Sequence, residues 1–273
     1  MYKFTQQWLI WGLLSIVVLL PLVKPIGLPV GYAAETEAAF KFIDNLPKGS
    51  ITMMVCEVAP SNAGEIWPAA IAIARHHLEK GHKVVISTFI PDGIMYSLEL
   101  GKLLEKEYGA KYGEDYIVLP YVAGRETALA AVADNIRGVY KEDQFKQDLN
   151  NLPLWTRIQS IKDFAVVSCY TSSDDTWWLV RHIWGKYQVP CISSTVSVAT
   201  PDSLTYYKNG QLVGMLGGVR GAAYYEQRLG KPGMATKSMD AQSAGHIYLL
   251  VLMLIGNVSY WYSRRSQGRR SEG

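Results

Sequence analysis

Hydrophobic and polar positions divide this chain into three kinds of segment. An uncharged apolar run lies near each end. Between them, short continuous apolar strings alternate with stretches in which apolar residues recur every three to four positions. The continuous strings predict strands at residues 51–58, 82–89, 116–121, 164–169 and 191–195, because a strand covered on both faces loses its polar alternation. The helical periodicity predicts helices at 65–80, 96–108, 126–139, 154–161, 176–187 and 221–229, with a short helix and linker at 36–48. Gly81 ends the first long helix. Residues 141–151 are polar and read as helix or loop. Residues 204–207 and 211–216 flank Lys208-Asn209-Gly210 and read as a hairpin, since Asn-Gly favours a type I′ turn.

Strand and helix alternate through most of this region. The expected fold class is α/β: a Rossmann-like, mostly parallel sheet with helices on both faces. In such sheets ligands bind beyond the carboxyl ends of the strands. The strand-end loops are therefore the places to look for chemistry.

The end segments set the domain organisation. Residues 8–23 are apolar and uncharged, with Lys3 before them, Pro21 within their last turn and Pro25 and Pro29 after them. This run is near the lower limit for a membrane span. Gly31-Tyr32-Ala33-Ala34 offers a signal peptidase small residues. Residues 1–34 therefore read as a signal-anchor or a signal peptide. Residues 36–235 form the α/β domain, and 247–263 a transmembrane helix. Tyr260-Trp261-Tyr262 followed by Arg264, Arg265, Arg269 and Arg270 is the pattern of a helix end on the cytoplasmic side. That makes residues 264–273 a basic cytoplasmic tail and the α/β domain extracytoplasmic under either reading of the N-terminus. Asn257 inside the span suggests a helix–helix contact, through a homo-oligomer or a membrane-protein partner.

Composition changes the picture little. Net charge is +3 over 273 residues, with several positive charges in the tail. No concentrated basic face emerges, which argues against nucleic acid as a partner. Cys56, Cys169 and Cys191 are too few for a disulfide framework and fit buried strand positions. The five His make no metal-ligand spacing with them, so no metal is expected. No GxGxxG, no Walker lysine and no GxSxG elbow is present. No cofactor can be assigned.

Four features carry candidate chemistry. Ser61 and Asn62 lie in the loop after the first strand, where free N–H groups could hold an anion or where Glu65 could complete a capping box. Asp92 sits in a Pro-Asp-Gly turn after the second strand and could bind a ligand hydroxyl. The loop Thr171, Ser172, Ser173, Asp174 and Asp175, followed by Trp177-Trp178, is the most polar of the set and suggests a pocket for a sugar or a cation. Arg220 lies among Gly214, Gly217, Gly218 and Gly221, which could approach a phosphate or simply allow tight packing.

The stretch from Gly64-Glu-Ile-Trp-Pro through the Ala-rich helix to Gly81-His-Lys-Val84 resembles part of a glycosyltransferase amino-terminal domain. It covers about 20 residues. It is also the general form of a helix in a Rossmann-like unit, and no second nucleotide-binding half follows. No catalytic constellation can be assembled from these residues. The expected function is accordingly a membrane-anchored protein that binds a ligand or partner or scaffolds a membrane complex, with no enzymatic activity assigned. The alternative is a glycosyltransferase-like enzyme acting on a nucleotide-linked or sugar substrate in the strand-end crevice.

Overall fold

The computed structural model describes residues 2–172 and 175–270. Two units are distinguished by their internal contacts. One comprises residues 1–29 with 236–273, and the other residues 30–235.

The second unit is an α/β domain built on six strands, all parallel: β1 (Ile51–Cys56), β2 (Lys83–Ser87), β3 (Tyr116–Val118), β4 (Val166–Thr171), β5 (Cys191–Thr195) and β6 (Gly214–Gly217). Their order across the sheet is β3-β2-β1-β4-β5-β6. The chain winds outward from β1 to β3, then crosses back so that β4 pairs with the other edge of β1. Register is set by apolar residues on both faces. Met53 lies beside Val85 and Val167, and every residue of β1 and β4 is buried.

The helices of this unit are α2 (Ala34–Asp44), α3 (Ala63–Glu79), α4 (Gly93–Tyr108), α5 (Glu126–Val139), α6 (Pro153–Thr156), α7 (Asp175–Leu179), α8 (Gly185–Tyr187), α9 (Thr200–Lys208) and α10 (Gly218–Arg228). Odd-numbered strand residues such as Met53, Val85, Ile117 and Val167 share a core with Leu129 and Val132 of α5, Trp155 of α6 and Leu179 of α7. The opposite face carries α3, α4 and α10, with α2 across β6. Between α7 and α8 the chain makes a π-helical stretch, Val180–Trp184. Helix α5 is kinked at Asn135, whose φ and ψ of −153° and 78° are not helical.

The hairpin expected around Asn209-Gly210 is not formed. Residues 204–207 lie in α9, which Pro201 starts at a position where a missing N–H costs nothing. Asn209 and Gly210 end that helix, and Gly210 takes a φ of +73°. Asn-Gly marked a positive-φ chain reversal correctly, but the reversal is a helix stop. The strand that follows pairs parallel with β5 rather than antiparallel with its own neighbour.

The first unit contains α1 (Tyr2–Val23) and, from Thr236 onward, α11 (Met234–Arg270). Met234–Tyr262 is long and apolar enough to cross a membrane, and Gln7–Val23 is a shorter apolar segment. The span expected at 247–263 is therefore the middle of a longer helix.

Candidate functional site

The carboxyl ends of β1 and β4 meet where the strand order reverses, and buried polar groups collect there. Glu57 follows β1 directly and is only 3% exposed. The backbone N–H of Phe89, just beyond β2, donates to its Oε1 at 2.7 Å, and Thr88 Oγ1 donates to the same atom at 3.4 Å. Its Oε2 has no hydrogen-bond partner among the described residues. Burial pushes the Glu57 carboxyl up to about 7. The Phe89 N–H pulls it partly back, and the Asp175 carboxylate raises it further. A carboxyl in this state can hold or release a proton near neutrality.

Asp175 opens α7 and is equally buried. Thr171 Oγ1 donates to its Oδ2, and Arg125 Nη2 reaches its Oδ1 at 3.3 Å. Arg125 comes from the loop after β3. Its guanidinium lies 5.0 Å from the centroid of the Trp178 ring, within cation–π range. Its backbone sits at φ 49°, ψ −110°, a conformation an L-residue adopts only under constraint from its surroundings. Glu57, Asp175, Phe89 and Trp178 enclose a space of about 10 Å³, room for about one water molecule.

Asn62 ties the two sides of the reversal together. Its Nδ2 donates to the Glu57 carbonyl at 3.3 Å and to Ser172 Oγ at 3.0 Å, while its Oδ1 accepts from the Ala59 N–H at 2.8 Å. The capping-box alternative for this loop does not hold, because Asn62 makes no side-chain cap and Glu65 reaches across to the N–H and Oγ of Ser197 instead. Asn62→Ala is expected to cost about 1–2 kcal/mol, the penalty for orphaning buried partners, as read from chemical denaturation. A cost below a few tenths would show that the bridge is not formed.

On the outer side of the β4–α7 loop lies an open cleft of about 690 Å³. Ser172, Thr176, Asp202, Ser203 and Thr205 supply its polar groups, and Trp177, Tyr206, Val198 and Ala199 its apolar ones. Trp177 and Tyr206 stack at 6.3 Å with an interplanar angle of 26°. Beneath them runs a hydroxyl chain in which Ser203 Oγ donates to Thr176 Oγ1 at 3.3 Å, and Thr176 Oγ1 pairs with Ser193 Oγ of β5 at 2.6 Å. Thr176 sits beside Asp175, so the cleft and the buried carboxyl pair share one loop and one helix start.

The structure thus brings Asn62, Thr171, Ser172 and Asp175 together. Ser61 is exposed in the loop after β1, and Asp92 is exposed ahead of α4 with no capping bond from its side chain. Ser173 and Asp174 lie outside the described residues. Arg220 is elsewhere: its Nη2 donates to the carbonyls of Gly31 and Tyr32 at 3.3 and 3.1 Å. The glycines around it serve packing, since a Cβ on Gly214 would lie 2.4 Å from the Ala39 backbone N of α2.

Sequence reasoning missed Glu57 and Arg125. Glu57 was legible in one respect, as a carboxylate set between apolar residues in Val55-Cys56-Glu57-Val58. The three thiols are buried and free, and burial pushes all of them up, so they stay protonated and unreactive. Among the described residues no group of three or more His, Cys, Asp or Glu could hold a metal ion. No protein-family model, curated protein or solved structure matches the chain significantly.

Proposed function

We propose that this chain is a membrane-anchored, Rossmann-like protein that binds a small polyhydroxylated ligand, such as a sugar, at the carboxyl ends of β4 and β5. The cleft of about 690 Å³ carries the reading. It has the size of a small-molecule site, and it combines aromatic walls with convergent hydroxyls and a carboxylate. Asp202 and the hydroxyls suit a ligand rich in O–H groups, and Trp177 and Tyr206 suit its apolar edge. The strand order supports the Rossmann-like description, because the crevice of such folds lies where that order reverses. The apolar length of Met234–Tyr262 supports the membrane anchor, and the four Arg after residue 263 support an extracytoplasmic domain.

One observation favours the enzymatic alternative. Glu57, held at about 7 beside Asp175, is suited to proton transfer on a substrate seated at the reversal.

Binding is tested with the full chain in detergent, by thermal shift over a panel of monosaccharides, sugar nucleotides and quaternary amines. At least one sugar is expected to raise the Tm. Trp177→Ala and Asp202→Asn are each expected to weaken its binding about tenfold or more, on the order of 1.4 kcal/mol. A panel in which no sugar binds, or in which wild type and both variants respond alike, removes the cleft as the site.

A further inference from the structure

We infer that α1 is retained in the mature protein and pairs with α11 as a two-helix anchor, locked by the Asp240 carboxylate. The inference rests on the membrane reading of α11. Asp240 is fully buried. Its Oδ2 accepts the backbone N–H groups of Ile26 and Gly27 at 2.7 and 2.8 Å, and its Oδ1 accepts that of Leu28 at 2.9 Å. Three successive N–H groups turned onto one carboxylate form an anion nest, and Gly27 at φ +75° supplies the left-handed residue that turns them. The chain just after α1 is thus shaped around a side chain of α11.

Two further contacts place the helices side by side. Tyr248 donates its hydroxyl to the Ile10 carbonyl at 2.8 Å, and a Cβ on Gly245 would stand 3.6 Å from Val18 Cγ2. Residue numbers rise along α11 as they fall along α1, from Asp240 beside 26–28 to Gly245 beside Val18 and Tyr248 beside Ile10. The helices are therefore antiparallel, which brings the chain before α1 and the chain after α11 out on the same side of the bilayer. Gly245 lets the two backbones approach, as small residues do between membrane helices.

Cleavage after Ala34 would remove the nest. Asp240 would then lose the three backbone donors that its carboxylate accepts in the intact chain, a costly change on a membrane helix. The connecting chain is also held within the α/β unit. Gln227 accepts from the Val30 N–H at 3.3 Å, and Arg220 donates to the carbonyls of Gly31 and Tyr32. This is a structural use for Arg220, on the very residues a signal peptidase would have to bind.

The test uses the full chain carrying a different epitope tag at each end, expressed in cells and recovered in the membrane fraction. Val18→Cys with Gly245→Cys, and a protease site inserted near Gly210, give a cross-linking reporter. Oxidation is expected to hold the two fragments together on a non-reducing gel after cutting. A Trp8→Cys and Gly245→Cys pair, displaced along the helix, is expected not to. Asp240→Asn should lower the Tm of the solubilised chain and speed proteolysis at residues 24–32. Mature chain in the membrane without its N-terminal tag, or equal cross-linking from both pairs, overturns the inference. Release of the intact chain by alkaline carbonate would instead overturn the membrane reading on which it rests.

Discussion

Gly93→Ala is expected to destabilise the α/β domain by about 3 kcal/mol, the upper end for overpacking a core. Gly93 is the first residue of α4, wedged under the carboxyl end of β1. A Cβ there would lie 2.0 Å from Thr88 Oγ1 and 2.4 Å from the Cys56 carbonyl oxygen. The threonine can rotate, but the carbonyl belongs to a central strand hydrogen-bonded on both sides. Helix α4 must therefore back away from the sheet. The same movement disturbs Thr88 and Phe89, the donors that hold Glu57. The control is Gly64→Ala in α3, where no atom lies within 4 Å of the added carbon. That change should be neutral or stabilising by up to about 1 kcal/mol, because alanine is the better helix former. Urea unfolding of both variants in detergent decides the matter. A Gly93→Ala cost under about 1 kcal/mol would mean that α4 docks less tightly than this geometry requires.

The contrast between these two glycines shows what the chain makes legible and what it conceals. The strands were legible because a parallel sheet covered on both faces needs unbroken apolar strings, and Met53-Met54-Val55 and Val84-Val85-Ile86 supply them. Asn62, Thr171 and Asp175 were legible because polar loops at strand ends have a general use in such sheets. The hairpin misreading had a local cause, since Asn-Gly specifies positive φ and not the element on either side of it. Arg220 could be read two ways because glycines that accommodate α2 and glycines that accommodate a phosphate look alike in sequence. Glu57 was missed because its importance is relational. Only the fold sets it beside Phe89, Asp175 and Arg125, which come from three other strand-end loops.

Stability should show this relation as a pH dependence, and Glu57→Gln should remove it. Glu57 ionises at about 7 in the folded domain against 4.5 for the ordinary side chain. The folded state therefore binds the proton more tightly than the unfolded chain does between these values. Its contribution is complete below about 4.5 and is lost as pH rises through about 7, on the order of 3 kcal/mol in all. The buried histidines run the other way. His82 Nε2 donates to the Leu46 carbonyl at 3.2 Å, and its Nδ1 shares a hydrogen bond with His77 Nδ1 at 3.1 Å. Burial holds His77 well below its ordinary 6.5, and the His82 ring beside it adds to the effect. Folding stability from His77 is consequently lost as pH falls below 6.5. The wild-type profile should lose stability on both sides, and the two groups can be separated. Relative to wild type, Glu57→Gln should gain stability progressively between pH 4.5 and 8 while keeping the acid-side loss. The Gln amide brings a constant offset, so the slope of the difference is the informative quantity. Parallel wild-type and Glu57→Gln profiles over that range would mean that Glu57 is solvated or already paired. Its place as the proton-active group at the strand reversal would then be lost, and the enzymatic alternative with it.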